Sequence, residues 1–294
     1  MLDIYKFGEA LINTRDLDPL YVGLVGAQLP KDQLYRYLLA YWCFYHTGVS
    51  AWLSELEGKD YFWAMEAAAA NFPDNRPCDM PRTPQFNSWP RGSERRHFRG
   101  QKCVNAVQRL AATFKDGSDA VQSLLKKRGD MVIMETVKQW PMFGDWIAFK
   151  VVDMLERCAG VNCQISPDLV LMYDEPAKAL NLLVTAGNVD ASEVDYWNAL
   201  LKHFSKFKAP PDMKRACGPT EAETVCCKWK SYMGGHYWIG KDIKEHREAL
   251  HGWGETAQKI ASFYPAEIKR DNQHSGNERV REEHHSARPA GRLF

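Results

Sequence analysis

The densest chemistry in the chain is a cluster of arginines. The segment WPRGSERRHFRG at 89–100 holds Arg91, Arg95, Arg96 and Arg99 against a single acid, Glu94, with His97 among them. Ser93 reads as the N-cap of a helix running to Phe114, which would set Arg95 and Arg99 one turn apart on one face with Arg96 beside them. Guanidinium forks match phosphate oxygens two at a time, and a helix N-terminus already favours an anion. Cations packed this closely repel one another unless something negative lies between them. A phosphate site follows from that; a solvated basic face with local carboxylate partners is the alternative.

A second candidate is QWPMFGDWIAFK at 139–150. One helix ends, Pro141 and Gly144 make a tight turn, and another helix begins. Helix–hairpin–helix elements have this layout and hold a DNA phosphate on the backbone N–H groups of the turn. Such a turn carries two glycines; Met142 stands at the first and Gly144 remains, so the element is degenerate, and from these residues alone an ordinary turn between helices is the favoured reading. In the following helix Trp146, Lys150, Asp153 and Arg157 share one face, beside an apolar face of Ile147, Val151, Met154 and Cys158. The Lys150–Asp153 pair is either structural or the polar wall of a cleft. His46, inside the aromatic stretch YWCFYHTG at 41–48, is either a hydrogen-bonded core residue or a base.

Near the C-terminus, Lys228, Lys230, His236 and Lys241 alternate with Trp229, Tyr232 and Tyr237. That interleaving suits a strip contacting nucleic acid, or a solvated helix face. Gly235, Gly240 and Lys241 approach a phosphate-binding loop, but Asp242 replaces its Ser/Thr and bulky Tyr237 and Trp238 fill it, so nucleotide binding is rejected. Cys217, Cys226, Cys227 and His236 lack the paired spacing of a zinc site. The signatures of zinc proteases, serine hydrolases and dinucleotide sites are absent.

These residues must be positioned by helices. Positions 31–56 are apolar or aromatic at nearly every turn and predict one long buried helix; 61–71 predicts another. Prolines 73, 77, 81, 84 and 90 make 72–93 a long loop. Further helices are expected at 117–128, 130–139, 145–158, 174–186, 191–207, 221–233 and 239–264. Strand alternation, internal repeats and heptads are missing, so the fold class is all-α. The 294 residues carry 38 Lys and Arg against 37 Asp and Glu, so any anion site is a local patch and not the charge of the whole chain. No apolar run reaches the length of a membrane span, the N-terminus lacks the order of a signal peptide, and the cysteines follow no disulfide framework, which suits a cytoplasm. The helical body is expected over 1–265, with a flexible charged tail at 266–294.

The combination of YWCFYHTG at 41–48, the arginine motif at 89–100, FGDWIAFKVVDMLER at 143–157 and CKWKSYMGGH at 227–236 resembles the bacteriophage amino acid:DNA transferases. These belong to a wider set of DNA-glycosylase-like helical proteins that includes the α-glutamyl/putrescinyl-thymine pyrophosphorylases. The resemblance implies a DNA-glycosylase-like fold and a task in thymine hypermodification. DNA built with 5-hydroxymethyluracil is phosphorylated by a DNA kinase, and the transferase then joins an amino acid of the glycine or serine class to the base methylene carbon, displacing the phosphate-type leaving group, in the cytoplasm of the infected bacterium.

Under that resemblance Arg91, Arg95, Arg96 and Arg99 would stabilise the leaving group without a metal or cofactor. His97, His46 or Asp153 would take a proton from the amine. Lys150 or Arg157 would hold the amino acid's carboxylate, Trp89 and Trp146 would stack on a flipped base, and Gly144, Lys228, Lys230, His236 and Lys241 would meet DNA. The departures weaken a strand-cleaving lyase: Trp146 falls where glycosylases can place a catalytic lysine, and the count for their aspartate lands near Gln164, with Asp168 close by. A glycosylase-like enzyme acting on a modified base, and a non-catalytic DNA-binding accessory protein, are the rival readings.

Overall fold

Local sequence sets most of the helix ends. In the computed structural model, which describes residues 2–70, 89–163, 165–167, 174–186 and 192–270, Asp3 accepts the Lys6 N–H at 2.8 Å and opens α1 (Ile4–Thr14). α2 (Pro19–Ala27) starts on a proline whose missing N–H costs nothing in a first turn. No helix was expected before residue 31. Both are real, and α2 carries part of the site.

The predicted helix over 31–56 is two helices. α3 (Lys31–Phe44) stops where Tyr45 turns to φ +51°, and His46 caps α4 (Thr47–Ser54) by accepting the Val49 N–H at 3.2 Å. Tyrosine and histidine are poor breakers, so no residue type announced the break. Packing enforces it: a Cβ on Gly48 would collide with the Trp253 ring and the Ala249 carbonyl, so α4 lies against its neighbours at a distance that only glycine allows.

α5 (Gly58–Ala70) is followed by 71–88, which lie outside the described residues, with most of the expected proline loop. The helix predicted from Ser93 begins only at Gln101. Ser93–Arg95 is a single 3-10 turn, Gly100 takes φ +81°, and α6 runs Gln101–Thr113. The Gly100 N–H is bonded to the Ala69 carbonyl at 2.8 Å and the Gly92 N–H to that of Phe44 at 3.0 Å, so the loop's donors go to other elements and not to a helix.

α7 (Gly117–Leu125), α8 (Asp130–Lys138) and α9 (Asp145–Ala159) follow as expected to within a few residues, α9 ending on Gly160 at φ +70°. α10 (Asp174–Ala186), α11 (Glu193–Phe204, opened by a Ser192–Asp195 capping box) and α12 (Pro219–Met233) come next. The expected 239–264 helix splits into α13 (Lys241–Leu250) and α14 (Glu255–Ser262) at Gly252 and Gly254, both at positive φ.

α9 is the hub. Val151, Val152, Met154 and Leu155 are buried where it packs on α2, α3 and α8, and the Trp42 indole N–H reaches the Met154 sulfur at 3.3 Å. Among the described residues there is no strand, only an isolated Lys208–Ala216 bridge, so the all-α expectation holds. None of the described helices is long and apolar enough to cross a membrane. Residues 266–270 carry no helix, and the remainder of the expected tail lies outside the described residues, as do Gln164 and Asp168.

Candidate active site

The helix ends converge on a cleft of about 500 Å³. Its walls are the start of α2 (Asp18 to Tyr21), Tyr41 and Tyr45 from the end of α3, His46 and Thr47 at the start of α4, and Gly92 to Glu94 of the arginine loop. Trp146 and Lys150 come from α9, and α12 and α13 supply Glu223, Cys227, Lys228, Asp242, Glu245 and His246. Trp146 stacks obliquely on Tyr45 at 5.3 Å, and Tyr45 on Tyr41 at 4.5 Å, so one wall is a ladder of aromatic rings.

The floor is a network of buried charges. The Lys150 ammonium lies 3.5 Å from Glu223 and 3.6 Å from Asp153. Burial opposes its charge, but these carboxylates together with Asp18 outweigh it and raise the pKa, so Lys150 stays cationic and is no proton acceptor. Asp153 is fully buried behind the cleft and accepts the Tyr21 hydroxyl at 2.7 Å. It orients Tyr21 and cannot itself meet a substrate.

The Arg157 side chain is fully buried and is surrounded by Asp18 at 2.6 Å, Glu221 at 3.0 Å and Asp153 at 3.5 Å, under the Tyr21 ring. No face of it is left for an amino acid's carboxylate, contrary to the expectation. Lys228 is 2.6 Å from Asp242. Burial pushes the Asp242 carboxyl up, but the Lys228 ammonium pulls harder and holds it below the usual range. Asp16 anchors the same corner, accepting from the Tyr237 hydroxyl at 2.5 Å and the Ile243 N–H at 3.1 Å.

Burial disfavours the charged form of both cleft histidines. Burial, and then the facing His246, push His46 down to about 3. Burial likewise lowers His246, against the pull of Asp242. With Nδ1 of His46 accepting a backbone N–H, the neutral ring carries its proton on Nε2, which makes it a donor and removes it as the base. His97 is outside the cleft, exposed, with Nε2 accepting from Arg96 at 3.1 Å.

The four arginines do not share a face. Arg91 donates to the carbonyls of Ala68, Trp89 and Phe98 at 2.5–2.6 Å and closes the loop. Arg95 donates to the carbonyls of Cys43 at 3.1 Å and Met142 at 3.0 Å, lying over the Phe98 and Phe143 rings, so it ties the loop to the α8–α9 turn. Arg96 and Arg99 are exposed on the loop whose start rims the cleft. Met142 in that turn sits at φ +69°, the left-handed conformation glycine would take without strain, and Gly144 is exposed at the start of α9.

Trp89 is 1% exposed against Trp52 and cannot stack on a base; Trp146 is half-buried at the cleft and can. The expected basic strip is not one surface. Lys228 faces the cleft, while Lys230 is half-buried and His236 exposed. Lys241 reaches the His236 carbonyl at 2.8 Å, and Trp229, Tyr232 and Tyr237 are buried. Sequence reasoning missed Asp18, Tyr21, Tyr45, Glu223, Asp242 and His246. Asp242 and His246 do lie one turn apart on α13, a spacing that could have drawn notice.

The cleft of this all-helical protein thus sets an aromatic wall over a floor of carboxylates paired with Lys150, Arg157 and Lys228. Comparison with known proteins gives that form an identity. The Amino acid:DNA transferase family profile matches residues 12–237. The chain is 34% identical over 287 residues to a glycinyltransferase of Pseudomonas phage PaMx11, covering 90% of this chain and 96% of that one. It is 28% identical over 280 residues to a putrescinyltransferase of Delftia phage PhiW-14, covering 90% and 84%. The chain belongs to the amino acid:DNA transferase family and is a transferase.

Proposed function

We propose that the chain attaches an amino acid of the glycine or serine class to the 5-methylene carbon of phosphorylated 5-hydroxymethyluracil in phage DNA, in the cytoplasm of the infected bacterium, after a DNA kinase has activated the base. The observation that carries this reading is the cleft itself, with a ring-stacking wall facing carboxylates that suit an ammonium group. The glycinyltransferase relative, aligned over nearly its whole length, supports an amino acid as the donor.

The amine nitrogen's lone pair forms the C–N bond at the methylene carbon. The C–O bonding pair leaves with the phosphate, either in one displacement or after the uracil ring has assisted its departure. The incoming ammonium must first give up one proton. Glu245 is the best placed acceptor: burial raises its carboxyl, and its ion pair with Lys241 is a loose 3.6 Å. Trp146 and Tyr45 hold the flipped base. Arg96 and Arg99 meet DNA phosphates at the rim, while Arg91 and Arg95 hold the loop that presents them.

The test is direct. Purified protein is incubated with DNA carrying phosphorylated 5-hydroxymethyluracil and a mixture of amino acids, and the DNA is digested to nucleosides for mass spectrometry. A nucleoside heavier than the unmodified one by an amino-acid residue supports the reading and names the donor. Abasic sites would replace it with base excision, and unchanged nucleosides with DNA binding alone.

A further inference from the structure

His46 combines two features that the structure ties together. It is the N-cap of α4, its Nδ1 accepting the Val49 N–H at 3.2 Å. It is also a wall of the cleft, half-buried, and among the described residues its ring makes no hydrogen bond besides the one at Nδ1. A capping histidine has no freedom of tautomer: the nitrogen that accepts must be bare, so the other carries the hydrogen. The Trp253 ring packs edge-on at 5.7 Å and holds the imidazole in that orientation.

We propose that His46 is a fixed hydrogen-bond donor to the substrate, its Nε2–H directed at an oxygen of the modified nucleotide that gains negative charge during the transfer. Two oxygens have that chemistry: one on the departing phosphate, which gains charge as the C–O bond breaks, and the uracil ring carbonyl next to the methylene carbon, which gains it as the amine adds to the methylene once the ring has assisted the departure. The inference rests on the cleft being the seat of transfer.

The surroundings keep the donor constant. The groups facing it are His246 from α13 and the indole of Trp253. Of the charges lining the same cleft, Lys150 pairs with Glu223, Lys228 with Asp242, Asp18 with Arg157 and Glu245 with Lys241, and Glu94 is exposed on the arginine loop. Burial and the second imidazole both disfavour a charged ring, so the donor stays neutral across the working pH range. A preorganised neutral N–H aimed where charge develops favours the transition state over the ground state, and its loss shows in kcat more than in KM.

Two variants separate the cap from the donor. His46→Asn keeps a capping acceptor, since asparagine is a preferred N-cap, but has nothing at the reach of Nε2. It is expected to melt at or above the wild-type temperature while kcat falls about 100-fold or more, with KM for the amine nearly unchanged. His46→Gln keeps an N–H at that reach and gives up the cap, so it should melt lower and retain more activity per folded molecule.

Inorganic phosphate then identifies the oxygen. If it inhibits His46→Asn more weakly than wild type, the donor serves the leaving phosphate; equal inhibition with the same loss of kcat assigns it to the ring carbonyl. Nitrogen-15 imidazole shifts should show hydrogen on Nε2 and no titration between pH 5 and 8. Wild-type kcat in His46→Asn, hydrogen on Nδ1, or a midpoint in that range overturns the donor role. Failure of the wild type itself to form any adduct overturns the transfer reading beneath it.

Discussion

Replacing Arg157 with methionine separates a structural role from a substrate-binding one. The guanidinium has three carboxylates within 3.5 Å, and its side chain is fully buried. At an effective dielectric of about 20, each such pair at about 3 Å is worth on the order of 5 kcal/mol before desolvation. Desolvation cancels most of that, and removing one partner of a buried pair costs about 3–5 kcal/mol.

The lower end is expected, because the carboxylates are not all abandoned. Glu221 keeps Arg215 at 2.7 Å, and Asp153 keeps Tyr21 and Lys150. Asp18 loses its direct ion pair. Its carboxyl is already raised by burial despite Arg157, and it climbs further in the variant. A folded pKa above the unfolded one favours the folded state at low pH and loses that benefit as pH rises through the folded value. Arg157→Met should therefore lose about 3 kcal/mol in urea denaturation at pH 8 and recover part of it at pH 5. KM for the amine should be unchanged in the folded fraction. Stability within about 1 kcal/mol of wild type at both pH values, together with a raised KM, would refute the reasoning and return Arg157 to substrate binding.

Three further outcomes follow from the geometry. Trp146→Ala should weaken binding of DNA carrying the modified base by about 1–3 kcal/mol in equilibrium titration, with little loss of stability because the ring is half-buried. Arg96→Ala with Arg99→Ala should flatten the dependence of log K on log salt by about 2 without altering base preference; an unchanged slope would take both off the DNA. Asp242→Asn should cost most stability at neutral pH. The wild-type carboxyl is held below its ordinary value, so its contribution is present above about pH 4 and is lost as pH falls through the folded pKa, and the two melting curves should converge in acid.

The helices themselves were largely legible. α9 differs from its expected bounds by one residue and α10 by none, because apolar spacing, Gly144 and Gly160 mark α9 locally. What sequence could not show is where side chains spend their hydrogen bonds. Arg91 and Arg95 look like phosphate ligands by type and density, yet their partners are carbonyls up to 52 residues away. The α3–α4 break is similarly non-local: it needs the His46 cap and the close approach of Trp253 to Gly48. Asp18 and Tyr21 sit at the N-cap and in the first turn of a short helix, apolar all round, with no amphipathic signal. They become part of the site only because Arg157 and Asp153 reach them across the core. Trp146 and Lys150, by contrast, were found together by helical spacing alone, and the structure places both on the cleft.

The central claim is displacement of phosphate by an amine at the base. It is tested most directly by counting both products from one reaction, using DNA with phosphorylated 5-hydroxymethyluracil and isotopically labelled glycine or serine. The account predicts one labelled adduct per phosphate released, and neither product from unphosphorylated 5-hydroxymethyluracil DNA. Label incorporated without phosphate release, or phosphate released in the presence of the amine with no labelled adduct formed, would contradict it.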